Sequence, residues 1–162
     1  MTKRLFKNIR LFWPLTKSLQ TGLLVATGMA GYMSARCPVH NLSTMLGLFI
    51  SLLASIAGST ILNMWFDRDI DAKMERTKAR PLVSGQIKPK EALWVGLIIS
   101  FLGVSLALFM NIGFGIIIFA GLFFDVVVYT IWLKRRTCWS IVWGGISGGM
   151  PILAGRFLGI GS

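Results

Sequence analysis

The sequence predicts an all-α membrane protein, a polytopic bundle of about five transmembrane helices that forms one domain over residues 1–162. Three observations lead to this prediction. The chain is 54% hydrophobic and only 14% charged, which is unusual for a soluble domain of this length. Long runs carry no charge, and basic residues collect between alternate runs. No low-complexity linker or convincing internal repeat divides the chain.

The uncharged runs give the order of the helices. A basic start before the first run can mark a signal peptide, but this run is long, and we interpret it as a retained helix. The run from Ala92 to Phe124 spans 33 residues, about 50 Å as one helix, so it is predicted to turn back near Asn111. The predicted spans are Ser18 to Ala35, Leu42 to Phe66, the two arms of that hairpin ending near Leu133, and Cys138 to Gly155, closed by Arg156.

Basic residues predict the orientation. The amino-terminal segment has five, the loop from Arg68 to Lys90 has seven, and the segment from Lys134 to Arg136 has three, whereas the alternate loops have only Arg36. The amino terminus and the 68–90 loop are therefore predicted to face the cytoplasm of a cell (inner) membrane. The net charge of +11 suits contact with membrane lipid. No nucleic-acid-binding motif accompanies it, so no nucleic-acid partner is expected.

The strongest candidate site lies where the second predicted span ends. Four of the six acidic residues fall between Asp67 and Glu75, and Asn63, Asp67 and Asp71 follow one another at a spacing of four. In a helix this spacing places three oxygen-bearing side chains on one face, roughly 6 Å apart along the axis. Such groups suit Mg²⁺, which completes its shell with water and phosphate oxygens. The alternative is a solvated helix end whose acids balance nearby bases.

Basic side chains near these acids are candidates for binding phosphate. Arg76 and Arg80 would lie one turn apart if the helix continued, and a guanidinium binds phosphate oxygens through a planar fork. Lys17, at the mouth of the first span, is either another such group or an interfacial anchor. All three also fit the general excess of positive charge on the cytoplasmic side. Pro81 and the Ser84–Gly85 pair are predicted to break the helix and form a loop over the site.

Other residues keep two interpretations each. Asp125, inside the fourth span, either holds a polar substrate or is protonated and bonded to Tyr129. His40 is either solvated or a porphyrin-iron ligand, and Cys37 and Cys138 form no recognisable metal or redox pattern. Close helix packing is predicted for the glycines of the fifth span, which are Gly144, Gly145, Gly148 and Gly149.

These motifs resemble a known superfamily. The aspartate pattern resembles the first aspartate-rich motif of the UbiA superfamily of intramembrane prenyltransferases, with the spacing Asn63-x-x-x-Asp67-x-x-x-Asp71. The continuation is also typical of that superfamily, and it reads Arg76-Thr77-x-x-Arg80-Pro81-Leu82-x-Ser84-Gly85. Two blocks are most similar to the heme O synthases, a family of protoheme IX farnesyltransferases: Asp67-Arg-Asp-Ile-Asp71-Ala-x-Met74-x-Arg76-Thr77 and Tyr129-Thr-x-Trp132-Leu-Lys134-Arg-Arg-Thr137.

The resemblance implies a reaction and a set of roles. Farnesyl diphosphate would bind through Mg²⁺, and its farnesyl group would pass to a vinyl group of heme b, a step of heme O and heme A biosynthesis. The implied roles are metal binding for Asn63, Asp67 and Asp71, catalysis for Asp67 and Asp71, and diphosphate binding for Lys17, Arg76 and Arg80.

The sequence departs from the family pattern in its second half. The family has further spans and a second aspartate-rich motif, whereas no acidic residue follows Asp125 here, and Cys138 replaces the expected proline. We therefore expect the amino-terminal portion of such an enzyme, with a second chain as one source of the missing helices. Two alternatives stay open: a UbiA-type prenyltransferase for a quinone precursor or other aromatic acceptor, and a non-catalytic fragment or partner subunit.

Overall fold

The computed structural model describes residues 13–35 and 41–160, and this part of the chain is helical and contains no strand. The elements, in chain order, are a 3₁₀ turn at Trp13–Thr16, α1 at Ser18–Met33, α2 at Leu42–Phe66, α3 at Pro89–Met110, α4 at Ile112–Phe123 and α5 at Ser140–Ile160. A four-residue helical turn, Arg68–Asp71, follows α2, and α4 continues as a π-helix over Phe124–Leu133. The predicted all-α bundle is confirmed. Predictions for Arg36, Cys37 and His40 lie outside the described residues.

Four of the described helices are long and apolar enough to cross a membrane: α2, α3, α4 with its π-helical continuation, and α5. The predicted first span, Ser18 to Ala35, is not among them. Its helix, α1, has 16 residues, fewer than the roughly 20 that a bilayer core requires, and it packs against α2 and α5. The predicted hairpin is confirmed. Asn111 leaves the helical conformation and caps α4, since its side chain accepts hydrogen bonds from the N–H groups of Gly113 and Phe114.

The fifth helix ends later than predicted. It runs to Ile160 and contains Arg156, which the sequence analysis placed at its end. The Arg156 side chain is exposed on the helix surface. A long arginine stem can lie along an apolar helix while its guanidinium reaches polar surroundings, so one arginine does not have to end a span.

α1 and α5 touch backbone to backbone. A Cβ atom added at Gly155 would stand 1.9 Å from the carbonyl oxygen of Gly28, and one added at Gly31 would stand 2.2 Å from that of Ile152. Only glycine fits at these contacts, because any side chain would push the two helices apart.

The glycines that the sequence analysis selected for close packing are different ones, and for three of them the prediction was wrong. Nothing lies within 4 Å of a Cβ atom added at Gly145, Gly148 or Gly149. Gly144 does have a close neighbour, the Tyr129 ring at 3.2 Å. The physical reason is that this half of α5 borders open space, including the cavity described below, instead of a tightly packed helix.

Two apolar clusters hold the bundle together. The larger joins all five helices around Tyr32, Leu48, Leu52 and Phe114. The smaller lies beneath the 68–88 segment, where Leu82 and Ile87 of the loop pack with Leu15, Ile61, Met64 and Ala92. This second cluster fixes the loop against the ends of α2 and α3, and so positions the site. Many large apolar side chains of α3, α4 and α5 are exposed, as lipid-facing or helix-facing surfaces are.

Candidate active site

A cavity of about 340 Å³ lies between α1, α2, α4 and α5. One end is polar and contains Lys17 before α1, Asn63 near the end of α2, and Lys134 after the π-helix. The rest is walled mainly by apolar and small side chains, among them Leu24, Leu52, Ile56, Ile118, Leu122, Met150 and Pro151. A mostly apolar cavity with a few convergent polar groups is the usual form of a small-molecule site.

The aspartate motif begins where α2 ends. Asp67 leaves the regular helix, with φ −85° and ψ 1°, and Asp71 belongs to the short turn that follows. The predicted spacing of four nevertheless survives in the backbone. The N–H of Asp67 donates to the carbonyl of Asn63, and the N–H of Asp71 donates to that of Asp67, both at 2.9 Å. The three residues therefore follow one another turn by turn, as the sequence predicted.

The helical turn ends at Asp71, so the condition under which Arg76 and Arg80 would lie one helical turn apart is not met. The Thr77 hydroxyl donates to the carbonyl of Asp71 at 2.7 Å, and this local bond replaces a helical one. Arg80 forms an ion pair with Asp71, whereas Arg76 is exposed. Pro81 also disfavours helix at the residue before it.

The predicted loop after this point is confirmed. Gly85 has a left-handed backbone with φ 76°, which glycine adopts without strain. The N–H of Ile87 donates to the carbonyl of Pro81 at 3.1 Å and closes the turn. Leu82 and Ile87 are buried, so the loop is fixed to the bundle at both of these residues.

Asp67 has one oxygen engaged and one free. It is only 8% exposed, and its Oδ2 atom pairs with Lys134. Its Oδ1 atom is buried and has no hydrogen-bond partner in the described part of the chain. A buried oxygen without a partner is costly, and coordination of a hard cation would satisfy it. Asp67 thus joins the cavity through Lys134, which lines it.

Asp125 belongs to the same site. Its carboxylate accepts hydrogen bonds from Asn63 Nδ2 at 2.7 Å, from the hydroxyl of Ser59, and from that of Ser147 at 3.5 Å. The carboxylate therefore faces a polar cluster inside the bundle. The members of this cluster could not be identified from their spacing in the sequence.

The sequence analysis considered Tyr129 as the partner of Asp125, counting four residues along an α-helix. The span is a π-helix here, so the side chain five residues on takes that place. The hydroxyl of Thr130 donates to the carbonyl of Asp125 at 2.9 Å and also reaches Asn63 Oδ1 at 2.8 Å. No sequence signal distinguishes this π-helix from an α-helix, which is why Thr130 was missed. Ser59 and Ser147 were missed because they belong to other helices, which only folding brings to Asp125.

Lys17 stands at the mouth of the cavity in an unusual backbone conformation. Its φ of 43° is the only positive value at a non-glycine position in residues 13–35 and 41–160, and such strain is concentrated at functional sites. Partial burial, followed by the positive charges of Arg80 and Lys134, lowers the pKa of Lys17. A cation held beside other cations is suited to an anionic ligand.

A second pairing joins the ends of α2 and α4 outside the cavity. Arg135 donates to both carboxylate oxygens of Asp69, at 2.9 and 2.7 Å, and to the carbonyl of Phe66 at 2.8 Å. These hydrogen bonds hold the pKa of Asp69 below its ordinary value. Asp69 therefore points away from the cavity and is engaged by Arg135.

The donor set fits Mg²⁺ only in combination with a substrate. Over the described ranges, no three His, Cys, Asp or Glu side chains converge into a metal-binding cluster. What the site offers is the amide of Asn63, the free oxygen of Asp67 and the carboxylate of Asp71. Mg²⁺ commonly binds one or two carboxylates and takes its remaining ligands from water and phosphate, so these residues fit. The metal role stays a prediction.

Comparison with known proteins places this arrangement among membrane prenyltransferases. Residues 24–162 match the UbiA prenyltransferase family. A protoheme IX farnesyltransferase of Archaeoglobus fulgidus is 46% identical over 140 residues, which cover 86% of this chain and 49% of that protein. Protoheme IX farnesyltransferase 2 of Bacillus subtilis is 44% identical over a stretch that covers 80% of this chain and 43% of that protein. The chain thus spans about half the length of the curated relatives it matches.

Solved structures show the same fold. A structure from work on digeranylgeranylglyceryl phosphate synthase superposes with a TM-score of 0.85 at 25% identity, covering 94% of this chain and 54% of that one. A UbiA homologue from Archaeoglobus fulgidus, bound to DMAPP and Mg²⁺, superposes with a TM-score of 0.77 at 20% identity. The superposition covers 95% of this chain and 54% of that one. These similarities confirm the predicted UbiA-type helical bundle.

Proposed function

Because the chain belongs to the UbiA prenyltransferase family, we propose that it is the amino-terminal part of an Mg²⁺-dependent protoheme IX farnesyltransferase (heme O synthase). Such an enzyme moves the farnesyl group of farnesyl diphosphate to a vinyl group of heme b. The observation that carries the proposal is the cavity with apolar walls and a polar end formed by Lys17, Asn63, Asp125 and Lys134. The names of the similar proteins support farnesyl diphosphate and heme b as the two substrates.

The polar end is the proposed diphosphate site. Asn63, Asp67 and Asp71 would hold Mg²⁺, which when bound offsets the negative charge of the leaving diphosphate. The Mg²⁺ and DMAPP bound by the Archaeoglobus homologue support this assignment. Diphosphate would be held by Lys17, Arg76 and Arg80, joined by Lys134. Arg80 and Lys134 now pair with Asp71 and Asp67, and would exchange these carboxylates for phosphate oxygens.

The apolar walls are the proposed prenyl site. When the carbon–oxygen bond to diphosphate breaks, its electron pair leaves with the diphosphate and the allylic carbon becomes cationic. Leu24, Ile118, Met150 and Pro151 line the space where the chain would lie and exclude water from it. The heme vinyl group, instead of water, then captures the cation. The new cation beside the porphyrin ring takes up water and loses a proton, which gives a hydroxyethylfarnesyl chain.

The acceptor side of the cavity is proposed to come from polypeptide beyond these 162 residues, either in the same chain or in a second one. The basic residues of the amino-terminal segment and the 68–90 loop support an inner-membrane protein with both facing the cytoplasm. In that orientation, the proposed diphosphate site opens toward the compartment in which soluble diphosphates are made.

The proposed function is tested by measuring conversion of heme b to heme O in membranes that contain this chain, the remaining helices, farnesyl diphosphate and Mg²⁺. Asp67→Asn and Asp71→Asn are expected to lower the rate at least tenfold, as loss of a metal-site group does. Asp69→Asn is the matched control, since Asp69 is exposed and pairs with Arg135. Prenylation of a quinone precursor in place of heme b would identify a different acceptor, and equal rates in all variants would refute the diphosphate site.

A further inference from the structure

The side-chain amide of Asn63 can bind a cation only through its oxygen, so its orientation decides whether it can serve as a ligand. Its two ends have different neighbours. Nδ2 donates to Asp125 Oδ2 at 2.7 Å, and Oδ1 accepts from the hydroxyl of Thr130 at 2.8 Å. The two ends of an amide are nearly the same size, so hydrogen bonding must select between them.

Thr130 cannot make this selection. A hydroxyl both donates and accepts, and Thr130 has a second acceptor within reach, the carbonyl of Asp125 at 2.9 Å. If the amide of Asn63 turned over, the hydroxyl would donate to that carbonyl and accept from the amide nitrogen instead. Either orientation of the amide therefore satisfies Thr130.

Asp125 can make it. Its Oδ2 atom accepts from both the hydroxyl of Ser59 and Asn63 Nδ2, and an oxygen that acts only as an acceptor takes the nitrogen of the amide and repels its oxygen. The hydroxyl of Ser59 also holds the carboxylate, through its Oδ2 atom, whereas the hydroxyl of Ser147 lies 3.5 Å from Oδ1 and has a nearer acceptor in the carbonyl of Gly144 at 2.9 Å. The group that meets the amide is thus held by two residues of α2, Ser59 and Asn63.

We infer that Asp125 is a positioning residue for Asn63. It holds the amide nitrogen toward itself and leaves the amide oxygen facing the other way, toward Thr130. An amide oxygen has two lone pairs, so the bond from Thr130 leaves one for a divalent cation. The inference rests on the proposed function, because it concerns the same cation site. This role would explain why the span contains a carboxylate, a group that is costly to place inside a membrane.

The test is the affinity of the full chain in detergent for Mn²⁺ in the presence of pyrophosphate, followed by the electron paramagnetic resonance signal of free Mn²⁺. Asp125→Asn keeps the size of the side chain but can meet either end of the Asn63 amide. We expect it to weaken Mn²⁺ binding about tenfold, as loss of an orienting partner does. Asp69→Asn is the matched control, since it makes the same change at an exposed aspartate that pairs with Arg135 outside the cavity, and it is expected to keep the parent affinity.

A double variant separates orientation from structural damage. Asn63→Asp combined with Asp125→Asn exchanges the two groups and keeps the hydrogen bond and the total charge. A carboxylate offers an oxygen whichever way it turns, so the double variant is expected to recover the affinity that Asp125→Asn loses. Unchanged affinity in Asp125→Asn, or no recovery in the double variant, would overturn the inference alone. A parent chain that does not bind Mn²⁺ would overturn it together with the proposed metal site. Farnesyl transfer is not measured, so failure of the proposed reaction is distinguishable from all of these outcomes.

Discussion

Two acids of the site are each paired with a base. Asp67 pairs with Lys134 and Asp71 with Arg80. A divalent cation would compete for the acids, and a diphosphate would compete for the bases. Either ligand by itself would leave part-buried charges without partners, which is costly. We therefore expect the cation and the diphosphate to bind together more strongly than either binds by itself.

Lys17 leads to a prediction about pH. Its pKa lies below the ordinary value of 10.5, so its ammonium group loses a proton at a lower pH than that of an exposed lysine. Below the lowered pKa the group is charged and attracts diphosphate, and above it the attraction is lost. Pyrophosphate affinity should thus fall as pH rises through this window. Lys17→Arg stays charged there and is expected to keep its affinity.

Titration of pyrophosphate affinity from neutral pH upward checks this prediction. Lys73→Arg is the matched control, because Lys73 is exposed and lies outside the cavity lining, and its profile should follow that of the parent. If Lys17→Arg declines in parallel with the parent, then another group governs the pH dependence.

Two local departures from regular helix packing shape the cavity at the scale of the elements. The π-helix Phe124–Leu133 turns Asp125 and Thr130 toward α2. On the opposite wall, the second half of α5 lies close to α1, with backbone contacts at Ile152 and Gly155, whereas the first half contributes Gly148 to the open cavity. The same helix therefore packs tightly at one half and leaves room for a ligand at the other.

Gly148 is predicted to limit the length of the prenyl group. It lines the cavity, and nothing lies within 4 Å of a Cβ atom added there. Gly148→Leu would fill part of the space, so binding should shift from farnesyl diphosphate toward geranyl diphosphate by about tenfold. Affinities for the two diphosphates measure the shift. Gly145→Leu, on the same turn but outside the cavity lining, should show none, and an equal shift in both variants would contradict this role.

Gly155 is predicted to be essential for stability. A Cβ atom there would stand 1.9 Å from the carbonyl oxygen of Gly28, so Gly155→Ala should lower the free energy of unfolding by about 1–3 kcal/mol, as overpacking does. Gly145→Ala has open space around it and should be neutral or stabilising by up to about 1 kcal/mol, because alanine favours helix. Thermal unfolding in detergent compares the two, and equal melting temperatures would refute the close contact.

At the scale of the whole molecule, the described bundle has one polar end and broad apolar sides. Exposed side chains of α3 include Trp94, Leu97, Phe101 and Phe109, and lipid or further helices would cover such surfaces. The described residues provide one aspartate-rich motif, and the chain spans about half of its relatives. We therefore propose that the chain provides a diphosphate half-site and that the acceptor half lies elsewhere.

This proposal predicts the outcome of a complementation experiment. Membranes that contain only residues 1–162 should convert heme b to heme O at least tenfold more slowly than membranes that also contain a chain supplying the remaining helices, because positioning of both reactants is lost. Full activity from the short chain by itself would show that it completes its own site, for example by self-association. The same chain with Asp67→Asn serves as the inactive control.

Much of the fold and part of the site were predictable from local pattern. Hydropathy and charge gave the all-α membrane class and the hairpin at Asn111, because a helix in lipid satisfies its own backbone and needs only apolar side chains of sufficient number. The spacing of Asn63, Asp67 and Asp71 survived even where α2 ends, because successive four-residue hydrogen bonds continue through the break. These features depend on neighbours along the chain, which a sequence displays directly.

Tertiary structure decided the rest, because the remaining choices depend on groups far apart in sequence. Only folding brings Asp125 within 2.7 Å of Asn63, and only the π-helix makes Thr130 its neighbour in place of Tyr129. Likewise, whether a glycine of α5 packs or borders a cavity depends on what stands opposite it. The sequence by itself therefore determined the class, the hairpin at Asn111 and the motif. Long-range contacts determined which side chains surround the motif and which space remains open for a ligand.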